Sequence, residues 1–170
     1  MKNADAASSA WGSGTITTGQ VLELLAAQGI VLPPGRLRID FYGDSPQLSA
    51  ELLALIGSGR KRAGTSLLWG LEADGESIPA PGDIEVILDH HNRPAFITRT
   101  TRVDILPFRA VGSDYARIEG EGDGSLEYWR AGHWAFFSRE CARIGREPSL
   151  EMPVVCCVFE LIENLAVAEP

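Results

Sequence analysis

An α+β domain is the fold class that the sequence predicts: a small β-barrel or highly curved mixed sheet with helices packed outside it. Three observations lead there. Apolar residues recur at helical spacing in two early segments, they alternate at strand spacing through the middle of the chain, and a long helical segment near the end is followed by one more apolar strand.

In chain order, residues 1–14 are rich in Ala, Ser and Gly and read as a mobile start. Thr17 or Thr18 can cap a helix over 20–28 whose apolar face is Val21, Leu22, Leu24 and Leu25, with Gly29 ending it. Pro33-Pro34-Gly35 makes a rigid connector, so 15–36 reads as a helical extension of a main domain at 37–165. Ser45 followed by Pro46 has the form of an N-cap and first-turn proline. The helix they open, over 46–57, carries Leu48, Leu52, Leu55 and Ile56 on one face and stops at Gly57-Ser58-Gly59. Strands are expected over 65–71, 84–88 and 94–103, with Pro81-Gly82-Asp83 as a turn and His91-Asn92-Arg93 as a hairpin tip. A helix over 125–144 places Leu126, Trp129, His133, Phe136, Phe137, Cys141 and Ile144 at helical spacing before Gly145, and 154–162 reads as a buried closing strand.

Composition narrows the function. The 170 residues are 45% hydrophobic and 22% charged, which is ordinary globular usage and enough chain for one core. Fifteen Lys and Arg against 23 Asp and Glu leave a net charge of −8. A whole-surface affinity for phosphate backbones is thereby excluded, and any nucleic-acid contact must be a local patch. No apolar run approaches the ~20 residues of a membrane span, and residues 1–20 lack the apolar stretch of a secretion signal. Cys141, Cys156 and Cys157 have no metal-type spacing, and on a strand the adjacent pair points to opposite faces. Reduced, buried thiols and a cytoplasmic location are the expectation.

Several residues could carry chemistry. Gly57-Ser58-Gly59-Arg60-Lys61 resembles a phosphate loop only superficially, because its glycines end a helix instead of opening one. Arg60-Lys61-Arg62 is the densest positive charge in an acidic chain and holds one of its two lysines; a solvated charge run is the plain alternative. His90 and His91 sit at a hairpin tip without a ligand partner at metal spacing, and His133 shares the Trp129 and Phe136 face, the setting of a hydrogen-bonded core histidine. Glu119, Glu121, Asp123 and Glu127 cluster around the start of the last helix, where acidic residues complement its dipole; Glu119 lies too far upstream to need that explanation.

Tyr42-Gly43-Asp44-Ser45-Pro46, Gly59-Arg60-Lys61 and Thr65-Ser66-Leu67-Leu68-Trp69 together resemble the core signature of the ASCH domain family. Pro81-Gly82-Asp83 resembles the family's turn into its barrel. Glu119-Gly120-Glu121-Gly122-Asp123, followed by Ser125 to Trp129 and His133, resembles its acidic loop and final helix. The resemblance covers about residues 37–162. It implies a PUA-like barrel with a cleft for RNA or a modified nucleoside. One branch of the family hydrolyses the acetyl amide of N4-acetylcytidine with a Gly-x-Lys-x-x-Thr motif and a downstream glutamate, and some larger members act as ribonucleases. The motif maps onto Gly59, Lys61 and Glu119, but its threonine position is Gly64. In a regular strand Thr65 shares a face with Lys61 and could substitute, whereas a bulge at Gly64 would break that alternation.

The expectation is an RNA- or nucleoside-directed hydrolase, with ribonuclease the favoured form. Lys61 would stabilise negative charge or act as acid and Glu119 as base, with Thr65 beside them. Ser66, Tyr115, Ser125 and Tyr128 are candidates to bind phosphate or sugar, and Arg60, Arg62 and Arg99 to bind phosphate. A non-catalytic RNA-binding module is the alternative, and N4-acetylcytidine hydrolysis ranks behind both because of Gly64. No cofactor is expected; metal dependence and oligomeric state are left open. A phosphate-binding role for the basic triplet predicts a salt slope of roughly −1.5 to −2 for single-stranded RNA.

Overall fold

The computed structural model describes residues 6–8 and 15–166. Ala6–Ser8 (β1) pairs antiparallel with Thr15–Thr17 (β2), so part of the stretch expected to be a mobile start is a strand; the rest of 1–14 lies outside the described residues. Thr17 then caps Thr18–Ala27 (α1) in a reciprocal box: its hydroxyl accepts from the Gln20 backbone N–H at 3.2 Å, and the Gln20 side chain accepts from the Thr17 N–H at 2.9 Å.

Five strands form one mixed sheet, a half-barrel with helices packed around it. They are Leu37–Phe41 (β3), Ala63–Leu67 (β4), Ile84–Leu88 (β5), Pro94–Pro107 (β6) and Pro153–Asn164 (β7), in the spatial order β3-β5-β6-β7-β4. Only the β3–β5 pair is parallel. Its entrance is tied by Arg36, whose Nε donates to Asp83 Oδ1 at 3.0 Å, across the Pro81-Gly82-Asp83 turn.

The helices cover the sheet in three places. Pro46–Gly57 (α2) is capped by Ser45, whose hydroxyl accepts from the Leu48 N–H, and sends Ile56 against Ile87, Phe96 and Phe159. α1 packs Val21 and Leu25 on Ile84, Val86, Leu88 and Ile97. Ser113–Glu119 (α4) and Leu126–Arg143 (α5) close the third cluster, where Phe108, Tyr115, Trp129 and Phe137 meet Ala63, Leu67, Met152, Val154 and Cys156. Cys156 belongs to that core while Cys157 faces the other side of β7, the alternation expected of an adjacent pair on a strand.

Two expected boundaries are corrected. The strand expected over 65–71 ends at Leu67, and Leu68–Asp74 is a helix (α3) closed by left-handed Gly75 at φ 70°. The apolar residues 67, 68 and 71 fit a helical turn as well as a strand, and a glycine that can adopt positive φ resolves the ambiguity. The strand expected over 94–103 continues to Pro107, pairing with β7 from Phe96 onward across two register shifts.

Phe137 is fully buried at the centre of the α4–α5 core. Phe137→Ala is expected to cost about 3–5 kcal/mol, read as a lower urea midpoint in equilibrium unfolding.

Candidate functional site

A cleft of about 400 Å³ runs across the sheet and is lined by residues of all five strands, including Arg38, Gly64, Thr65, Ser66, Glu85, Thr100 and Cys157. The acidic loop and α5 add Glu121, Tyr128, Gly132, His133 and Phe136 to its wall, and α2 and α3 add Leu48, Leu52 and Leu71. No residue of the helical extension 15–36 lines it.

At the inner end, Lys61 enters just before β4 and Glu119 ends α4; their side chains are 2% and 1% exposed. They meet at 3.5 Å although 58 positions separate them. Glu121 supplies the closer partner, with its Oε1 2.6 Å from the ammonium, and the Tyr42 ring lies 5.5 Å from it on another side. The Glu121 loop owes its path to two glycines. A Cβ on Gly120 (φ 70°) would lie 2.2 Å from the Arg60 carbonyl oxygen, and one on Gly122 (φ 55°) would lie 2.3 Å from the Tyr128 ring.

Glu119 is the hub. Its Oε2 accepts from the Thr65 hydroxyl at 2.8 Å and from the Trp129 indole N–H at 2.5 Å, and its Oε1 faces His133 Nε2 at 3.3 Å. Burial alone would raise its pKa. The charges of Lys61 and His133, with hydrogen bonds from His133 and Trp129, outweigh that and lower it to about 2. His133 is the matching cation. Its Nδ1 lies 2.9 Å from the Trp129 carbonyl, which can only accept, so that nitrogen carries a proton. Nε2 then faces a carboxylate favourably only if it is protonated too. Burial opposes this charge, but the Glu119 carboxylate prevails and raises the His133 pKa; the ring also stacks on Trp129 at 4.3 Å. Two cations and two carboxylates therefore balance inside the domain.

Tyr115 lies in the core behind the cleft and does not line it, with its hydroxyl 2.8 Å from the Gly64 carbonyl and 3.0 Å from Thr65 Oγ1. β4 keeps a regular register with β7 from Ala63 to Leu67, so Thr65 and not Gly64 points at Glu119. A Cβ on Gly64 would instead meet the Tyr42 hydroxyl at 3.4 Å.

The other candidates fall elsewhere. Arg60 donates to the Gly122 carbonyl, and Arg62 donates to the carbonyls of Ile56 and Lys61 at 2.9 and 2.7 Å. Lys61 is buried, Arg62 half-buried and Arg60 exposed, so the triplet is not one continuous solvated run of charge. Arg99 pairs with Glu160 away from the cleft, and the Ser125 hydroxyl caps α5 by accepting from the Tyr128 N–H at 3.1 Å. Ser66 and Tyr128 do line the cleft. His133, read from the sequence as a core histidine, is in contact with the hub, and Glu121, read as a helix-dipole residue, is the nearest partner of Lys61. The i, i+4 placement of His133 after Trp129 and the glycines flanking Glu121 were the available signals. Burial pushes the Cys157 thiol up to about 11, so it enters the cleft uncharged. Among the described residues no helix is long and apolar enough to cross a membrane, and no cluster of three His, Cys, Asp or Glu side chains is arranged for a metal ion.

The sequence matches the family described as ASCH domain over residues 38–163. The fold is similar to the crystal structure of an ASCH domain from Lactobacillus crispatus JV V101, with a TM-score of 0.73 and 30% identity over 84% of this chain and 92% of that one. A protein from Enterococcus faecalis V583 is similar at a TM-score of 0.70 and 30% identity, over 84% and 85% of the two chains. The half-barrel is the PUA-like fold of these neighbours. No curated protein matches the sequence.

The charge balance predicts a stability window. Glu119 falls from its ordinary 4.5 to about 2, so its contribution is full above pH 4.5 and is lost as pH falls toward 2. His133 rises above its ordinary 6.5, so its contribution is full below 6.5 and is lost as pH climbs through the raised value. Together they stabilise most between about pH 4.5 and 6.5. An NMR titration of His133 is expected to show a midpoint above 6.5 that drops below it in Glu119→Gln.

Proposed function

The chain belongs to the ASCH domain family, and from that membership we propose that it is a hydrolase of a modified nucleoside, cleaving an amide carried on the base. The observation behind this reading is the Thr65 hydroxyl, 2.8 Å from the Glu119 carboxylate beside the Lys61 ammonium. It supplies the hydroxyl that Gly64 lacks. The cleft volume of about 400 Å³ suits a nucleoside. Arg60, Arg62 and Arg99 are all committed to protein partners, which leaves few cations for a polymer's phosphates.

The chemistry balances with these side chains. Thr65 Oγ1 attacks the acyl carbon while its proton passes to Glu119 Oε2, and the carbonyl electron pair moves onto an oxyanion stabilised by Lys61. Collapse of that intermediate breaks the C–N bond, and Glu119 returns the proton to the departing amine. Water then attacks the acyl-threonine with Glu119 as base, releasing the carboxylic acid and restoring the hydroxyl. Glu119 is a weak base at rest. As Lys61 turns to the new oxyanion its hold on Glu119 loosens, and basicity rises when it is needed.

RNA cleavage is the second reading, favoured by Tyr128 and Phe136, whose half-exposed rings flank the cleft mouth and offer a surface on which a neighbouring base can stack.

Incubation with N4-acetylcytidine, and separately with single-stranded RNA, tests the proposal by chromatography of the products. Deacetylation is expected, with Glu119→Gln reducing it roughly 10²- to 10⁴-fold. Thr65→Val is expected to abolish it and Thr65→Ser to retain it. RNA cleavage without deacetylation would move the assignment to the second reading.

A further inference from the structure

We infer that Glu85, oriented by Tyr42, is the residue that reads the base: it takes a pyrimidine by the edge formed by N3 and the substituent on C4. The inference rests on the nucleoside reading above and names the part of the substrate that the cleft selects.

Glu85 lies on β5, and its carboxyl lines the cleft. Carboxylates held for stability alone are normally given a cation. Here the neighbouring arginines are committed elsewhere: Arg36 pairs with Asp83, and Arg38 donates to the Ser77 carbonyl and hydroxyl at 2.9 and 3.3 Å. Among the described residues the only hydrogen-bond partner of Glu85 is the Tyr42 hydroxyl, 3.0 Å from Oε2. Oε1 has none. Across the β5–β6 pair Thr98 stands opposite Glu85 in register, and its buried hydroxyl also lacks a partner among the described residues. A half-buried carboxyl left with one phenol and no cation is costly for the fold and available to a ligand.

The groups around it decide its form. Burial, then the negative charge of Asp40 and more weakly of Asp83, raises Glu85 to about 7, against the opposing pull of Arg38 and the Tyr42 hydrogen bond. Tyr42 itself is pushed well above 10 by burial and by Glu85, so it keeps its proton and donates to Oε2. The Cys157 thiol is raised as well and stays neutral. A proton on Glu85 therefore belongs on Oε1. The protonated carboxyl then offers a donor and an acceptor side by side, the complement of a pyrimidine edge, which also presents one of each. Tyr42 spans the cleft, with its hydroxyl at Glu85 and its ring face 5.5 Å from the Lys61 ammonium. A base edge on Glu85 is thus one side chain away from the Lys61–Glu119–Thr65 cluster.

Calorimetric titration with uridine, 3-methyluridine and cytidine tests this without any need for turnover. Uridine and 3-methyluridine are both neutral and differ only at the proposed edge. The native protein is expected to bind uridine and cytidine and to lose roughly tenfold or more in affinity for 3-methyluridine. Glu85→Leu is expected to lose the same factor for uridine and cytidine. Glu85→Gln, whose amide copies the donor and acceptor of the protonated acid, is expected to stay within about threefold of native, and to lose the weakening that the native protein shows as pH rises through 7. Equal binding of uridine and 3-methyluridine overturns the inference, as does a Glu85→Leu protein that binds like the native one, or no binding of either natural nucleoside at millimolar concentration. If nucleosides bind through Glu85 but none is hydrolysed, the base-reading role stands and the hydrolase assignment falls.

Discussion

The burial of Lys61 is the constraint on which the rest of the site depends. An unpaired ammonium buried this deeply costs several kcal/mol, and the surrounding structure is arranged to avoid that outcome. Two carboxylates converge on it from the end of α4 and from the loop that follows. The loop can bring Glu121 so close only because Gly120 and Gly122 pass where a side chain would collide with Arg60 and Tyr128. The second carboxylate leaves negative charge in excess, and His133, locked by the Trp129 carbonyl, restores the balance. One buried charge thus dictates a loop, a helix end and a protonation state.

Much of this was legible in the sequence, for identifiable reasons. Lys61 and Glu119 stand in short motifs whose order is specific, and the caps at Thr17 and Ser45 follow from side chains that act within one turn of the helix they start. What was hidden depends on distant partners. Arg60 and Arg62 look like a solvated basic patch until the carbonyls that receive them are in place. β3 carries a clear alternation, Leu37, Ile39 and Phe41, but it is five residues long and starts one residue after a Pro-Pro-Gly connector. α4 spans only seven residues, too few for a helical period to stand out, and the contact of Thr65 with Glu119 follows only from the register of β4 with β7.

The cleft holds two glutamates whose environments drive them apart. Glu119 is surrounded by two cations and several donors and is kept charged; Glu85 meets other acidic groups and a phenol and is driven toward neutrality. Burial pushes both upward, so the neighbours set the difference. Such a division lets one small cavity combine a proton acceptor with a hydrogen-bond donor, although both ends use the same side chain.

The strand order has a consequence for when the cleft can form. Among the described residues β7 follows the other four strands of the sheet in the chain, yet it occupies the interior of the sheet between β6 and β4. While a ribosome still covers residues 153–164, β4 has no neighbour to hold its alternation, and Thr65 is not presented to Glu119. A nascent chain can therefore complete α2, the β3–β5–β6 portion and much of α5 without acquiring a site. Assembly of the pocket waits for β7 to slot in, and premature termination before it leaves β4 unpaired and Thr65 without its place against Glu119.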